Sequence, residues 1–331
     1  MKRLIAVLLC AVLLNTGVLA ENATELFNQG VGAYKTGDYE TAVYYLSQAA
    51  DLGNAVAQCN LGIMYREGQG VERSYEKALE YFTLAAEQGN ANALLSLGKM
   101  YEGGRGVEKS DEKAAEYYRL AADAGSTGAQ YNLGLCYQYG TGVEKSYEMA
   151  AKYYTLAADQ GLVQAQCQLA NLYALGDGVE TSYEKALEYY KLAADQGSAE
   201  ALRGIAFLYL YGHGVEQSDE QAESFFIRSA DLGNPMAQFN LAEMYQLGLH
   251  VEQSDEKAAK YYQLAADQGN LASILRIASM YEEGIGVEQS YETAARYYSM
   301  GSRRGSESAQ KKLDTLHLEG KISPDFNPAA N

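Results

Sequence analysis

The sequence of 331 residues has no tryptophan and little proline, histidine or cysteine, with 3, 3 and 4 residues respectively. So little proline excludes a collagen-like or polyproline chain, and a hydrophobic content of 47% excludes an intrinsically disordered one. The histidines, His213, His250 and His317, have no cysteine or acid at ligand spacing, and no serine or cysteine nucleophile can be given a base from the sequence. We therefore expect no metal site, no cofactor and no catalytic residues.

Positive charge is also scarce, since 26 Lys and Arg residues stand against 43 Asp and Glu residues and give a formal net charge of −17. Affinity for nucleic acids is built from lysine and arginine contacts with phosphates. The composition therefore excludes DNA and RNA as partners. A basic protein partner would associate faster with such a chain.

The N-terminal residues 1–20 have the pattern of a secretory signal peptide. Lys2 and Arg3 precede an apolar run of 11 residues, and Ala20 ends a plausible cleavage site. The run is shorter than the ~20 residues that span a bilayer, so we expect a secreted or periplasmic protein without a membrane span after cleavage at Ala20. The remaining cysteines (Cys59, Cys136 and Cys167) are odd in number, which favours small apolar helix residues over a disulfide framework.

The chain repeats itself every 36 residues. The seven full rows cover residues 54–305, and they begin at Asn54, Asn90, Ser126, Leu162, Ser198, Asn234 and Asn270. An uninterrupted period of this size is typical of a solenoid, in which each unit buries its apolar face against its neighbours. We expect a shorter unit over 21–53, a C-terminal capping helix over 306–320, and a flexible tail over 321–331.

Each row reads as a pair of helices. In the row from Asn54, apolar residues recur at helical spacing up to Tyr65, and Gly68 and Gly70 then interrupt the helix. Ser74 follows as the N-cap of a second helix, which Gly89 ends. The sequence therefore predicts an all-α protein of tandem helix–turn–helix repeats.

The motif A-x-x-x-L-[GA]-x-x-Y-x-x-G-x-G-V, followed by S-x-E-x-A-x-x-[YF]-[YF] and A-A-x-x-G, resembles the Sel-one-like repeat, a relative of the tetratricopeptide repeat. The resemblance covers residues 54–305 and departs from the motif at His250, which replaces a loop glycine. It implies a right-handed α/α solenoid that works as a monomeric scaffold or adaptor for a protein or peptide.

In arrays of this kind the first helices line the concave side, and their variable positions contact ligands. Transferred row by row, the resemblance implies a peptide groove formed by Tyr131, Asn132, Leu135, Tyr139, Asn171, Leu175, Arg203, Phe207, Tyr211, Phe239 and Asn240. An apolar, aromatic surface with a few amides and one arginine suits an extended or helical peptide. The alternative is that some of these residues are ordinary surface or pack against a neighbouring helix.

Two other functions remain open. Two signatures of penicillin-recognising enzymes occur in the sequence: S-x-x-K, at Ser74, Ser110, Ser182 and Ser254, and K-T-G, at Lys35-Thr36-Gly37. Some cysteine-rich relatives of the repeat family are associated with penicillin binding. The serine recurs in every row where a helix needs an N-cap, and no S-D-N triplet occurs, which argues against a weak β-lactamase. The other alternative is a purely structural spacer.

Overall fold

The computed structural model describes residues 20–323 and residue 326, and every regular element within them is an α-helix. The predicted signal segment 1–19 lies outside the described residues. None of the described helices is long and apolar enough to cross a membrane. The seventeen helices of the described part are α1 (residues 20–35), α2 (Tyr39–Asp51), α3 (Ala55–Glu67), α4 (Tyr75–Glu87), α5 (Ala91–Gly103), α6 (Asp111–Asp123), α7 (Thr127–Tyr139), α8 (Tyr147–Asp159), α9 (Val163–Leu175), α10 (Tyr183–Asp195), α11 (Ala199–Tyr211), α12 (Asp219–Asp231), α13 (Pro235–Leu247), α14 (Asp255–Asp267), α15 (Leu271–Glu283), α16 (Tyr291–Arg303) and α17 (Glu307–Leu318).

The capping residues read from the sequence set the helix boundaries. The Asn54 side chain accepts a hydrogen bond from the backbone N–H of Ala57, and the Ser74 hydroxyl accepts one from Lys77. Gly68 ends α3 with a φ of 73°, in the left-handed region that favours glycine. Each row therefore becomes two helices, which confirms the predicted all-α class of tandem helix–turn–helix repeats.

The helices form two compact units. Unit 1 comprises residues up to 165 together with 177–179, and unit 2 comprises 166–176 together with the residues from 180 onward. In unit 1, α3 packs on α4, α4 on α5, and so on to α8; in unit 2 the same succession runs from α10 to α17. In both units, consecutive helices along these two successions pack against each other.

Close approach of the paired helices depends on small residues on the first helix. A Cβ atom placed on Gly98 would lie 2.5 Å from Cδ1 of the Tyr118 ring, and one placed on Gly62 would lie 2.6 Å from Cδ1 of Phe82. Tyr118 and Phe82 are both fully buried. The second-helix ring therefore fills the space that the absent first-helix side chain leaves, at the density expected of a protein core.

Stacked aromatic pairs account for much of the tyrosine content. A tyrosine in the last turn of each first helix of the seven full rows stacks on a ring of the second helix, with centroids 5.5–6.0 Å apart and interplanar angles of 13° or less. The pairs are Tyr65–Tyr81, Tyr101–Tyr117, Tyr137–Tyr153, Tyr173–Tyr189, Tyr209–Phe225, Tyr245–Tyr261 and Tyr281–Tyr297. Such pairs stabilise beyond the area that they bury. These tyrosines are structural.

The C-terminal end carries the predicted capping helix as α17. The flexible tail expected over 321–331 is described only at residues 321–323 and 326. There Ile322 is 3% exposed and joins the core of unit 2, and the Phe326 ring lies 6.2 Å from the ring of His317. This part of the tail packs on the unit because it supplies apolar side chains that close the end of the core, a role that the sequence analysis did not assign to it.

Candidate functional site

Five of the eleven predicted groove residues line one cleft in unit 2. The cleft has a volume of about 300 Å³ and lies between α9, which carries Asn171 and Leu175, and α11, which carries Arg203, Phe207 and Tyr211. We call it the Arg203 cleft. Transfer of the first-helix positions from one row to the next therefore brought together residues that are neighbours in space.

The floor of the Arg203 cleft is Tyr190 of α10, which is 5% exposed. Its hydroxyl donates a hydrogen bond of 2.5 Å to Oδ1 of Asn171. Burial raises the pKa of Tyr190, and the nearby Arg203 charge opposes the shift only in part. The phenol therefore stays protonated at neutral pH and fixes the orientation of the Asn171 amide.

Arg203 brings a positive charge that the unit does not neutralise. Its guanidinium carbon lies 5.7 Å from the centroid of the Phe207 ring, and its Nε is buried without a hydrogen-bond partner. Among the described residues no carboxylate oxygen is within 4.0 Å of its side-chain nitrogens. A buried polar atom without a partner is costly, so hydrogen bonds of Nε do not hold Arg203 in this place.

A glycine next to this arginine lets the floor ring approach α11. Gly204 follows Arg203 on α11, and a Cβ atom placed on it would lie 2.5 Å from Cζ of Tyr190. The same place in other rows holds a side chain, as in Asn132 and Asn240. The Tyr190 ring therefore packs against α11 in the space that the missing side chain of residue 204 leaves.

The rim of the Arg203 cleft is apolar and exposed. Leu175 is 72% exposed and Tyr211 is 60% exposed. The Tyr211 ring stacks near Phe207, with centroids 6.2 Å apart, and the His213 ring stacks on Tyr183 at 4.3 Å. Large exposed apolar side chains around a cation are typical of an interaction surface.

The other two candidates of unit 2 lie elsewhere. Phe239 packs against the core with its ring 5.9 Å from that of Tyr262, and it lines a separate cleft of about 430 Å³ with Arg276 and Tyr298. Asn240, the next residue on α13, is half-buried. Phe239 therefore packs against the core and also lines a cleft, but a different one from the Arg203 cleft.

The four candidates of unit 1 are all on α7. The Tyr131 ring lies 5.8 Å from that of Tyr154, and Asn132 and Leu135 are half-buried. Tyr139 is 67% exposed at the end of the helix, the position that Leu175 and Tyr211 have in their own repeats. In unit 1, then, Tyr139 is the candidate with the most surface available to a partner.

The four S-x-x-K motifs do not place a lysine on the serine. Ser74 caps α4 by accepting from the backbone N–H of Lys77, while the ammonium of Lys77 lies 5.0 Å from the centroid of the Tyr65 ring. Lys113, Lys185 and Lys257 lie over their tyrosine rings at 4.6–5.1 Å in the same way. The motif thus arises from an N-cap and a cation–π contact. In the described part of the chain no three His, Cys, Asp or Glu side chains are grouped to hold a metal ion.

Second-helix and loop residues were missed by the sequence analysis. Tyr183, Tyr190 and His213 line the Arg203 cleft, but only first-helix positions had been considered. His213 had a usable signal, because it stands between the two glycines of a loop where most other rows have a polar residue. The contribution of Tyr190 depends on packing between repeats and has no local signal.

Comparison with known proteins gives consistent results. The family model described as "Sel1 repeat" matches eight consecutive segments from residue 19 to residue 306, and its first match, 19–54, includes the unit that the sequence analysis treated as shorter. A Sel1 repeat protein from Oxalobacter formigenes is 31% identical with a TM-score of 0.76, over 92% of this chain and 91% of that one.

A second solved structure is c5321, described as a protective antigen present in uropathogenic Escherichia coli strains and displaying an SLR fold. It is 32% identical with a TM-score of 0.72 over 90% of this chain, which spans 65% of the length of c5321. Among curated proteins, none matches the chain.

Proposed function

This chain belongs to the Sel1-repeat family, whose members are typically non-enzymatic scaffolds for protein–protein interaction, and we propose that it is exported and binds a peptide segment of a partner protein on its first-helix face. Export rests on the signal pattern of residues 1–20. Cell fractionation with and without residues 1–20 tests it, and retention of the full chain in the cytosol would contradict export.

The Arg203 cleft is the observation that carries the binding proposal. A carboxylate of the peptide, from Asp, Glu or the chain terminus, pairs with the guanidinium of Arg203, which lines the cleft. An adjacent large apolar side chain of the peptide packs between Leu175 and Tyr211, whose exposed surfaces it removes from water. The ligand is therefore a short acidic segment with an apolar anchor.

The charge at Arg203 supports this choice when the repeats are compared. The same first-helix place holds Cys59, Leu95, Tyr131, Cys167, Phe239 and Leu275 in the other full rows, none of which is charged. A half-buried cation without an ion pair destabilises a fold that accepts apolar residues at this place. A ligand that pairs with the guanidinium explains why the place is used differently here.

Selection from a displayed peptide library, followed by affinity measurement, tests the proposal. We expect the enriched peptides to carry a carboxylate next to a large apolar residue. Arg203→Gln should weaken their binding by about tenfold or more, because a charge-assisted hydrogen bond is worth about 1.5–3 kcal/mol. Tyr211→Ala should weaken binding through loss of apolar contact.

Arg228→Gln is the matched control. Arg228 is exposed on α12 and lies over the Phe225 ring at 5.1 Å, so the substitution removes a similar cation–π contact away from the Arg203 cleft. Circular dichroism should be unchanged in all three variants. Peptides that bind Arg203→Gln as tightly as the unaltered protein, or a selection that enriches no peptide, would overturn the proposal.

A further inference from the structure

The first helix pair lacks a ring that every later repeat has. The second-helix residue that packs onto the first helix is aromatic in all seven later repeats, and it is buried in each: Phe82, Tyr118, Tyr154, Tyr190, Phe226, Tyr262 and Tyr298. In the first pair, Leu46 of α2 has this place. Leu46 is 1% exposed, so it is a core residue of the same kind with a shorter side chain.

The later rings reach across to the last turn of the first helix. The Tyr118 hydroxyl donates to Oε2 of Glu102 over 2.7 Å. Leu46 starts along the same path, since its Cγ lies 2.7 Å from a Cβ atom placed on Gly30, just as the Phe82 ring lies 2.6 Å from a Cβ atom placed on Gly62. The leucine side chain is shorter than the ring and does not extend beyond this point. The outer half of the ring therefore has no counterpart in the first pair.

A cleft of about 350 Å³ adjoins Leu46 in unit 1. Its lining is mainly apolar, and consists of Val31, Tyr34, Lys35, Leu46, Asn60 and Ile63. Tyr34 follows Gly30 by four residues, as Glu102 follows Gly98, so Tyr34 is the counterpart of Glu102 in the first pair. The cleft therefore adjoins the residue that a ring at position 46 would reach. The Tyr34 hydroxyl donates to Gln69 over 3.0 Å, and its ring meets that of Tyr39 edge to face at 5.3 Å, so this wall is held in position.

We propose that this cleft, the Leu46 cleft, binds one aromatic side chain of a partner protein, a phenylalanine or tyrosine ring. Seven repeats show that a ring is the group that suits the gap between these two helices. An apolar cavity of about 150 Å³ engineered in another protein is enough to hold benzene. Asn60 and Lys35 are the polar residues at the cleft, and they can hydrogen-bond a tyrosine hydroxyl.

The Leu46 cleft is independent of the peptide site proposed above, because all of its lining residues belong to unit 1. Substitutions in the Arg203 cleft should leave it unaffected. Failure of the peptide selection would therefore say nothing against it, and the reverse also holds.

The test uses the side-chain analogues toluene and p-cresol on the purified full chain, with 3-methyl-1-butanol as an aliphatic probe, and follows binding by saturation-transfer NMR. We expect saturable binding of both aromatic probes with a Kd on the order of 1 mM, and at least fivefold weaker binding of the aliphatic probe. Leu46→Phe restores the ring of the other repeats and should abolish binding. Leu84→Phe, at a leucine 40% exposed on α4, is the matched control and should bind as the unaltered protein does.

A gain of binding provides the converse test. Phe82→Leu should open the equivalent place in the next repeat and raise the stoichiometry from one bound p-cresol to two. The proposal is overturned if neither aromatic probe binds at concentrations up to about 10-fold above the expected Kd. It is also overturned if Leu46→Phe binds the aromatic probes as the unaltered protein does, or if the aliphatic probe binds as well as the aromatic ones. Circular dichroism of each variant establishes that the loss or gain is not a loss of fold.

Discussion

Paired glutamines should be replaceable together but not singly. The first helix of four repeats carries a buried glutamine whose Oε1 accepts from the amide of a glutamine at the end of the following helix, over 2.7–3.0 Å; the pairs are Gln58–Gln88, Gln130–Gln160, Gln166–Gln196 and Gln238–Gln268. The remaining full rows have Leu94 with Ala124, Leu202 with Leu232, and Ile274 with Arg304. The two places therefore change together within the chain.

The pair Gln238–Gln268 gives the sharpest test. Gln238 is 3% exposed, its Nε2 donates to the carbonyl of Ala230 over 3.0 Å, and its Oε1 accepts from Gln268 over 2.8 Å. Gln268→Leu leaves this oxygen without its protein donor, which costs about 1–3 kcal/mol for a buried acceptor. Because Gln268 is exposed, water can reach the vacated place, and we expect a loss of about 1–1.5 kcal/mol.

The double variant Gln238→Leu/Gln268→Leu should lose less than the single one. It reproduces the Leu202 and Leu232 of the preceding repeat, and the Ala230 carbonyl keeps its hydrogen bond from Gly233 at 2.9 Å. We expect its free energy of unfolding to be within about 0.5 kcal/mol of the unaltered protein, and therefore a smaller loss than Gln268→Leu causes alone.

Urea unfolding followed by circular dichroism measures all three variants. With a slope of about 2 kcal/mol per molar urea, Gln268→Leu should lower the midpoint by roughly 0.5 M. Gln221→Leu, an exposed glutamine on α12, is the control and should change the stability by less than about 0.5 kcal/mol. A double variant that loses as much stability as Gln268→Leu, or more, would refute the reasoning, because the glutamines would then not act as a pair.

Three further predictions concern single positions. In α1, Gly32→Ala should raise the free energy of unfolding by up to about 1 kcal/mol, because nothing lies within 4 Å of the added Cβ. Gly30→Ala should lower it, because the added Cβ would clash with Leu46. Equal effects of the two substitutions in thermal unfolding would contradict this. His250 has a φ of 64°, so His250→Gly should raise the free energy of unfolding by about 1 kcal/mol, because the contact with Asp219 that it removes is exposed and worth little; a lower urea midpoint would contradict this. Burial raises the pKa of Tyr262 to about 12 from its ordinary value near 10. The unfolded chain therefore loses this proton at a lower pH than the folded protein does. The contribution of Tyr262 to stability should be complete below pH 10 and should fall as the pH rises toward 12. Tyr262→Phe should flatten the fall in urea midpoint over this range, and an unchanged slope would count against the assignment.

Local backbone chemistry made most of the fold predictable. Boundaries of the second helices followed from Ser residues that cap the first turn, and loops followed from glycines such as Gly68, because these effects act within a few residues of the chain. A fixed 36-residue spacing then assigned the helices within residues 54–305 to repeats.

The site was predictable only in part because burial on a first helix depends on the neighbouring repeat. Tyr211 and Phe239 were both predicted to line the groove, yet Tyr211 is 60% exposed while Phe239 packs beside Tyr262. The floor of the Arg203 cleft, Tyr190, comes from a second helix, and its close approach to α11 depends on Gly204. Contacts of this kind join residues more than ten positions apart and leave no periodic signal in the first helices.

Regular repeats provide an internal reference for functional residues. Where one place on the backbone is filled in several repeats, the common residue shows what stability requires, and a departure that costs stability needs another explanation. Arg203 replaces an uncharged residue by a cation with a buried, unpaired nitrogen, and Leu46 replaces a ring by a shorter side chain beside a cleft. Both departures reduce the interactions within their own unit, and both leave a group or a space suited to a ligand. Arg203 and Leu46 are therefore the two departures from the repeat at which we expect partners to bind.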